Sequence, residues 1–212
     1  MTVLPIDVTV SLGPMDSLTD EAIETIRELM TRRIPKSFGL DPQRDVQILT
    51  PMQRGSTGAI ALNALLQSDL NPTGPEVQKG ARVLRLGDKV MQLRNNYEQD
   101  VFNGDIGKIT DIDHLDKLLT VTFPDRGEVA YDFNTLDELG LAYAITVHKS
   151  QGSEYPAVVI PLHTQHYPML QRNLVYTALT RAKRLAIFIG TKKALAMAVK
   201  NAKVRRRWSH LS

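Results

Sequence analysis

LAYAITVHKSQGSEYPAVVIPL, Leu141 to Leu162, is the stretch on which the reading of this chain turns. A short apolar run ends at Thr146, a polar elbow follows from Val147 to Glu154, and a second apolar run, Ala157 to Leu162, resumes after Pro156. Both runs have the composition of strands buried on two faces of a parallel sheet. Between them His148, Lys149, Ser150, Gln151, Gly152, Ser153 and Glu154 follow one another without an apolar side chain. A few undemanding residues suffice to join two strands, so the elbow reads as a surface made to touch something.

Downstream, Pro168 is expected to open a helix with Leu170, Leu174, Val175, Ala178 and Leu179 on one face. Leu185 to Gly190 reads as a buried strand, and Thr191 as the cap of a last helix carrying Leu195, Ala198 and Val199. Upstream, Asp45 to Thr50 is a short β run. Ser56 is expected to cap a helix with Ala59, Ile60, Asn63, Leu66 and Leu70, ended by Asn71-Pro72. At the start, Val3, Ile6, Val8 and Val10, interrupted by Pro5, suggest a weak or edge strand closed by Gly13-Pro14. Ser17 and Asp20 then resemble a capping box opening an amphipathic helix over 18–33, with Pro35 as its stop. Strand and helix alternate through both outer parts, which predicts an α/β fold with one mostly parallel sheet flanked by helices.

The middle follows another grammar. Lys89–Leu93, Gly107–Ile112, Leu118–Phe123 and Glu128–Phe133 are short β runs separated by turn signals, among them a hairpin turn at Asn103-Gly104. Such spacing predicts a small antiparallel barrel or sandwich inserted into the α/β unit. The expected division is 1–81 with 136–212 for the α/β part and 82–135 for the insertion.

Composition narrows the classes. Of 212 residues 42% are hydrophobic and 23% charged, as in ordinary soluble domains, and no run approaches the length of a membrane span. The absence of cysteine removes disulfides and thiolate metal sites and fits a reducing, cytoplasmic setting. A formal charge of +3, with Lys200, Lys203, Arg205, Arg206 and Arg207 crowding the tail, leans towards an anionic partner.

Ligands of open α/β sheets sit beyond the carboxyl ends of the strands. Three polar segments were expected there: Pro51–Ser56, Val147–Glu154 and Thr177–Lys183, bringing Arg54, Glu154 and Arg181. Arginine suits a phosphate because its planar fork donates bidentately and keeps its charge. A lone arginine at a helix end is more often a solvated charge, and His148 alone more often a turn residue. No stretch reads G-x-x-x-x-G-K-[ST]; the nearest, around Gly104 to Ile109, lies in the insertion. No acidic pair for Mg²⁺ is evident, and His163-x-x-His166 without cysteine or carboxylate is a poor metal site. The chain alone is therefore not expected to turn over a substrate.

AYAITVHKSQGSEYPAVVIPL (Ala142–Leu162) and NLVYTALTRAKRLAIFIG (Asn173–Gly190) together resemble motifs V and VI of superfamily 1 DNA helicases, nearest the RecD-like group. DVQILTPMQRGSTGAIALNALLQ (Asp45–Gln67) resembles the group's motif IV, and GDKVMQLRNNYEQDVFNGDIGKI (Gly87–Ile109) its SH3-like insertion. The likeness runs from about Arg32 to the C-terminus. It implies a second RecA-like lobe with its SH3-like barrel. ATP and Mg²⁺ would be held mainly by a first lobe that this sequence lacks. It further implies Arg54 and Arg181 as arginine fingers converging on the γ-phosphate, Gly152 for close backbone approach and Glu154 on the ribose. Thr146, His148 and Lys149 would face single-stranded DNA, with Asn95, Asn96, Tyr97 and Phe102 along its path, although Phe102 is better expected in the barrel core and Trp208 packed on the lobe. Expected partners are single-stranded DNA, the first lobe and recombination nuclease subunits, and the expected activity is 5′→3′ unwinding in repair. The competing reading is a stand-alone single-strand-binding or adaptor module without a motor.

Overall fold

The computed structural model describes residues 7–12, 18–162 and 170–201. Five strands form a wholly parallel sheet: β1 (Asp7–Leu12), β2 (Val46–Thr50), β10 (Ala144–Thr146), β11 (Tyr155–Leu162) and β12 (Ala182–Gly190). Their order is β1-β12-β11-β2-β10. β1 is an edge strand, as its broken apolar pattern suggested.

Alternate residues of the central strands point to opposite faces. Val158, Ile160 and Phe188 pack with Leu174, Val175 and Ala178 of α4 (Arg172–Leu179) and with Ala194 and Ala198 of α5 (Lys192–Lys200). Val159 and Ile187 pack on the other face with Ile26 of α1 (Leu18–Glu28) and with Leu62 and Leu66 of α3 (Ala59–Leu70). Burial on both faces is why these strands read as continuous apolar runs rather than alternating ones.

Three helix details differ from expectation. Pro35 does not stop the first helix. A π turn over Leu29–Arg33, with Ile34 N–H bonded back to Leu29, precedes α2 (Ile34–Phe38), whose second residue is Pro35. Proline's missing N–H is tolerated in such a first turn; Gly39, at φ 62°, ends the helix instead. The cap of α3 is Gly58 rather than Ser56, because Thr50 Oγ1 already donates to the Thr57 carbonyl at 2.8 Å and folds the intervening residues into a compact loop. Ile60 and Val199, named among the apolar residues of their helices, are 56% and 46% exposed. The Thr191 cap forms as read, accepting from Ala194 N–H at 3.0 Å. Gly13-Pro14, Ser17, His163, His166, Pro168, Trp208 and the tail cations beyond Lys200 lie outside the described residues.

The middle of the chain makes two antiparallel sheets. β3 (Glu76–Lys79) and β4 (Arg82–Arg85) pair as a hairpin that the sequence did not announce, since only Val77 and Leu84 among its residues are buried. β5 (Lys89–Gln92), β6 (Ile106–Asp113), β7 (Leu118–Phe123), β8 (Gly127–Asp132) and β9 (Leu139–Leu141) form the order β8-β7-β6-β5-β9. Asn103-Gly104 occupies a turn closed by Asp105 N–H to Phe102 O at 3.0 Å. Phe102 is not in the barrel core. It lies 4.7 Å beneath the Arg126 guanidinium, which ion-pairs Asp100 and Asp105, and Tyr97 meets its edge at 5.9 Å.

Barrel and parallel sheet are joined by buried polar groups. Asp88, fully buried, accepts from Gln67 (2.6 Å), Asn71 (2.7 Å), the Arg85 N–H (2.7 Å) and the Tyr143 hydroxyl (2.9 Å). Next to it Lys89 Nζ donates to the Val46 carbonyl at 3.0 Å.

Candidate functional site

In a wholly parallel sheet the two ends of the strands differ chemically, and the elbow connects them. Thr146 pairs with Thr50 at the carboxyl end of β2 and β10, whereas Tyr155 pairs with Ala182, and Ala157 with Val46, at the amino end. Residues 147–154 therefore carry the chain back across the sheet. A 3₁₀ turn, Val147–Ser150, begins this passage with Val147 and Ser150 buried and the Ser150 hydroxyl on the Val147 carbonyl at 2.8 Å. His148 and Lys149 project from it, exposed and without a partner among the described residues. Gly152, at φ 87°, adopts a backbone that a side chain would strain, and faces open space.

At the amino end sits Arg181, between α4 and β12. Its guanidinium donates to the Ser153 carbonyl (3.1 Å), the Thr177 carbonyl (3.3 Å) and the Thr180 hydroxyl (3.3 Å). Its own carbonyl accepts from Tyr155 N–H at 2.8 Å. These partners are all neutral, and no carboxylate pairs with Arg181 among the described residues. Glu154 reaches Lys183 at 3.5 Å, both more than half exposed. Burial raises the Tyr155 phenol beside them.

At the carboxyl end, Arg54 stands on the loop after β2, exposed and without a partner among the described residues. Ala59 and Ile60 N–H groups bond back to Met52 and Gln53 carbonyls at 3.0 and 3.1 Å, closing this loop onto α3. Gly58 is needed for space: a Cβ there would lie 2.4 Å from the Arg54 carbonyl oxygen. Beside this loop opens a groove of about 480 Å³ between α3, the edge strand β10, the β3–β4 hairpin and β9. Gln53, Ile60, Thr146 and Lys149 line it together with Ala64, Val83, Leu93 and Leu141.

The expected residues thus fall into two groups. Arg181, Glu154 and Gly152 cluster towards the amino end; Thr146, His148, Lys149 and Arg54 gather towards the carboxyl end. Arg54 follows the carboxyl end of β2, and Arg181 precedes the amino end of β12. The expectation that Thr177–Lys183 lies beyond the carboxyl ends is corrected, since α4 returns the chain to the amino end before β12 begins. In the barrel Asn96 is engaged with its own loop, pairing with Val101 and bonding Gln99. Tyr97 stands 77% exposed. The groove walls were missed by the sequence reading, although the apolar residues all round α3 were a sign that two of its faces meet something.

The model of the ATP-dependent RecD-like DNA helicase SH3 domain matches residues 62–123, and that of the UvrD-like helicase C-terminal domain matches 141–189. The chain is 42% identical over 153 residues to the ATP-dependent RecD2 DNA helicase of Deinococcus radiodurans, covering 72% of this chain and 21% of that protein. The chain belongs with the RecD-like helicases. Over 196 residues it is 27% identical to the RecBCD enzyme subunit RecD of Mycolicibacterium smegmatis, covering 88% of this chain and 34% of the relative. It therefore spans about a fifth to a third of the length of these RecD-like relatives. Among solved structures, the Pif1 helicase from Candida albicans shares the fold, with a TM-score of 0.51 at 19% identity over 88% of this chain and 51% of that one. No described helix is long and apolar enough to cross a membrane.

Proposed function

We propose that this chain is the second motor lobe, with its SH3-like insertion, of an ATP-dependent DNA helicase that moves 5′→3′ along single strands in repair or recombination. The observation carrying this reading is the elbow, one polar segment reaching both ends of the parallel sheet. The division into 1–81 with 136–212 and an insertion of 82–135 belongs to the same proposal; the antiparallel pairing runs from Glu76 to Leu141, between the parallel strands β2 and β10. ATP, with Mg²⁺, would supply the anionic γ-phosphoryl group whose transfer to water drives the motor. Both are assigned mainly to a first RecA-like lobe of the same protein, and this chain alone is inactive.

The amino end fits such an anion. Arg181 carries a full charge held only by neutral acceptors, so it can exchange the Ser153 carbonyl for a phosphate oxygen when a first lobe closes on it. A cation delivered in that closed state accelerates phosphoryl transfer by about 10³–10⁵ in related NTPases. Gly152 leaves room for close backbone approach, and Glu154, once it leaves Lys183, would accept from a ribose hydroxyl. Release of Ser153 by Arg181 also loosens the elbow, whose other half presents Thr146, His148 and Lys149 to the strand. Arg54, beside the groove, is assigned to strand phosphates, and the γ-phosphate role rests on Arg181. Tyr97 offers a stacking face, and Asn96 contributes by shaping its loop. The RecD relatives named as RecBCD subunits suggest nuclease subunits as further partners.

Arg181→Ala in the full-length protein should retain ATP binding and lose DNA-stimulated turnover. Normal turnover would remove the assignment. Should the gene encode no phosphate-loop lobe, the stand-alone binding module becomes the better account.

A further inference from the structure

Lys89 is a buried cation for which the described residues supply no anion. It is 7% exposed, and no carboxylate among them pairs with it. One ammonium proton goes to the Val46 carbonyl at 3.0 Å, out of the three that an ammonium carries. The nearby carboxylates are engaged elsewhere. Asp45 holds the Arg44 guanidinium at 2.8 and 2.9 Å and the Asp41 N–H at 2.9 Å. Asp41 accepts from the N–H groups of Gln43 and Arg44, at 2.8 and 2.9 Å. Directly across from Lys89 on β6 stands Lys108, exposed and without a partner among the described residues. Like charges in that register repel. Both lysines line a cavity of about 320 Å³, bounded also by Arg44, Ile106 and Pro124. It shares no lining residue with the groove beside α3.

We propose that this cavity binds a phosphoryl oxyanion, free or as a small phosphate ester, on the buried ammonium of Lys89, with Arg44 and Lys108 beside it. Asp45 takes Nε and one terminal nitrogen of Arg44, which leaves the other terminal nitrogen to donate. A phosphate monoester brings three acceptor oxygens to these three cations, one more than a carboxylate brings. The carbon part of an ester would rest on Ile106 and Pro124. Such an anion also removes the repulsion between the paired lysines. The groups facing Lys89 are Asp41, Arg44 and Asp45 from the segment before β2, Lys108 from β6, and the Tyr155 ring of β11 at 5.9 Å. Burial lowers the Lys89 pKa to about 8 against the pull of the two carboxylates, and burial raises the Tyr155 phenol, which stays uncharged. An oxyanion prefers the protonated lysine, so binding is tightest below pH 8 and weakens as pH rises through it. The site stands whether or not Arg181 meets a nucleotide.

The test is isothermal titration calorimetry of this chain with glycerol 3-phosphate and, separately, with inorganic phosphate, each against sodium chloride of equal ionic strength. Glycerol 3-phosphate should bind about tenfold more weakly at pH 9 than at pH 7, the ratio of protonated lysine at a pKa of about 8. Lys89→Met should bind it at least about tenfold more weakly at pH 7 and lose the pH dependence, with the melting temperature preserved or raised. Lys108→Ala should weaken binding and keep the pH dependence. Tighter binding of the ester identifies a phosphorylated small molecule as the occupant, and equal affinities identify phosphate itself. Heat no greater than that of the chloride control overturns the site, as does unchanged affinity in Lys89→Met. Loss of binding in Arg181→Ala but not in Lys89→Met also overturns it, moving the anion to the arginine before β12.

Discussion

The two ends of the parallel sheet are built from the same motifs and do opposite things with their charge. At the amino end Arg181 is held by three neutral acceptors and folded against the chain. At the carboxyl end Arg54, His148 and Lys149 are exposed, without a partner among the described residues, beside the groove. A cation restrained on neutral oxygens suits a single event that replaces those oxygens. Free cations at a rim suit repeated, exchangeable contacts with a polyanion. The difference teaches that residue type alone does not assign a role, since Arg54 and Arg181 occupy opposite ends.

The comparison is broken most directly by exchanging the loss of the two arginines. In the full-length protein Arg181→Ala should lower saturated turnover by about 10³-fold, whereas Arg54→Ala should change it by less than about tenfold and chiefly raise the DNA concentration required. Steady-state ATPase assays at saturating and limiting single strand separate these outcomes. Equal losses in saturated turnover would return Arg54 to the γ-phosphate.

The joint between barrel and sheet comes next, because it keeps the walls of the carboxyl-end groove together. Asp88→Ala strands the donors of Gln67, Asn71, Arg85 and Tyr143 in a buried site and should cost about 3 kcal/mol of stability, read from urea unfolding of this chain. A change below about 1 kcal/mol would mean that the groove width is set elsewhere.

Lys89 adds a pH signature to the same joint. Burial lowers its pKa from 10.5 to about 8, opposed by the nearby Asp45 and Asp41 carboxylates. Between these values the unfolded chain binds the additional proton, so this lysine makes stability rise with pH through the window and costs stability below it. The full difference is about 3 kcal/mol on the scale of 1.36 kcal/mol per pKa unit. Lys89→Met should therefore be the more stable protein at pH 7, by less than that amount because the bond to Val46 is lost, with the advantage shrinking towards pH 10. Parallel pH profiles for the two proteins would show that Lys89 is charged and solvated in the folded state.

Most of this architecture could be read from the chain. Double-sided burial wrote β2, β11 and β12 as apolar runs, and period-two burial marked β7 and β8. The hairpin β3–β4 escaped because it buries too little to leave a pattern, and Pro35 misled because a π turn absorbs what an α-helix interior would not. Phe102 escaped because an aromatic beneath an arginine looks in sequence like one bound for a core. The site was legible as residues but not as geometry. That the elbow and α4 return the chain to the amino end is a property of connection direction, which spacing does not carry.

The smallest expected effect bears on the carboxyl end alone. If Arg54 and Lys149 each neutralise one strand phosphate, removing either should shift the slope of log affinity against log salt by about 0.7. The change should be uniform across base compositions, since phosphates carry no sequence. Arg181→Ala, measured in the same titration without nucleotide, should leave the slope alone, because Arg181 precedes the amino end of β12 and not the carboxyl end of the sheet. A slope that changes with Arg181 and not with Arg54 would exchange the roles of the two ends. The division between a restrained cation for one anion and free cations for many therefore rests on a measurement that needs neither the first lobe nor ATP.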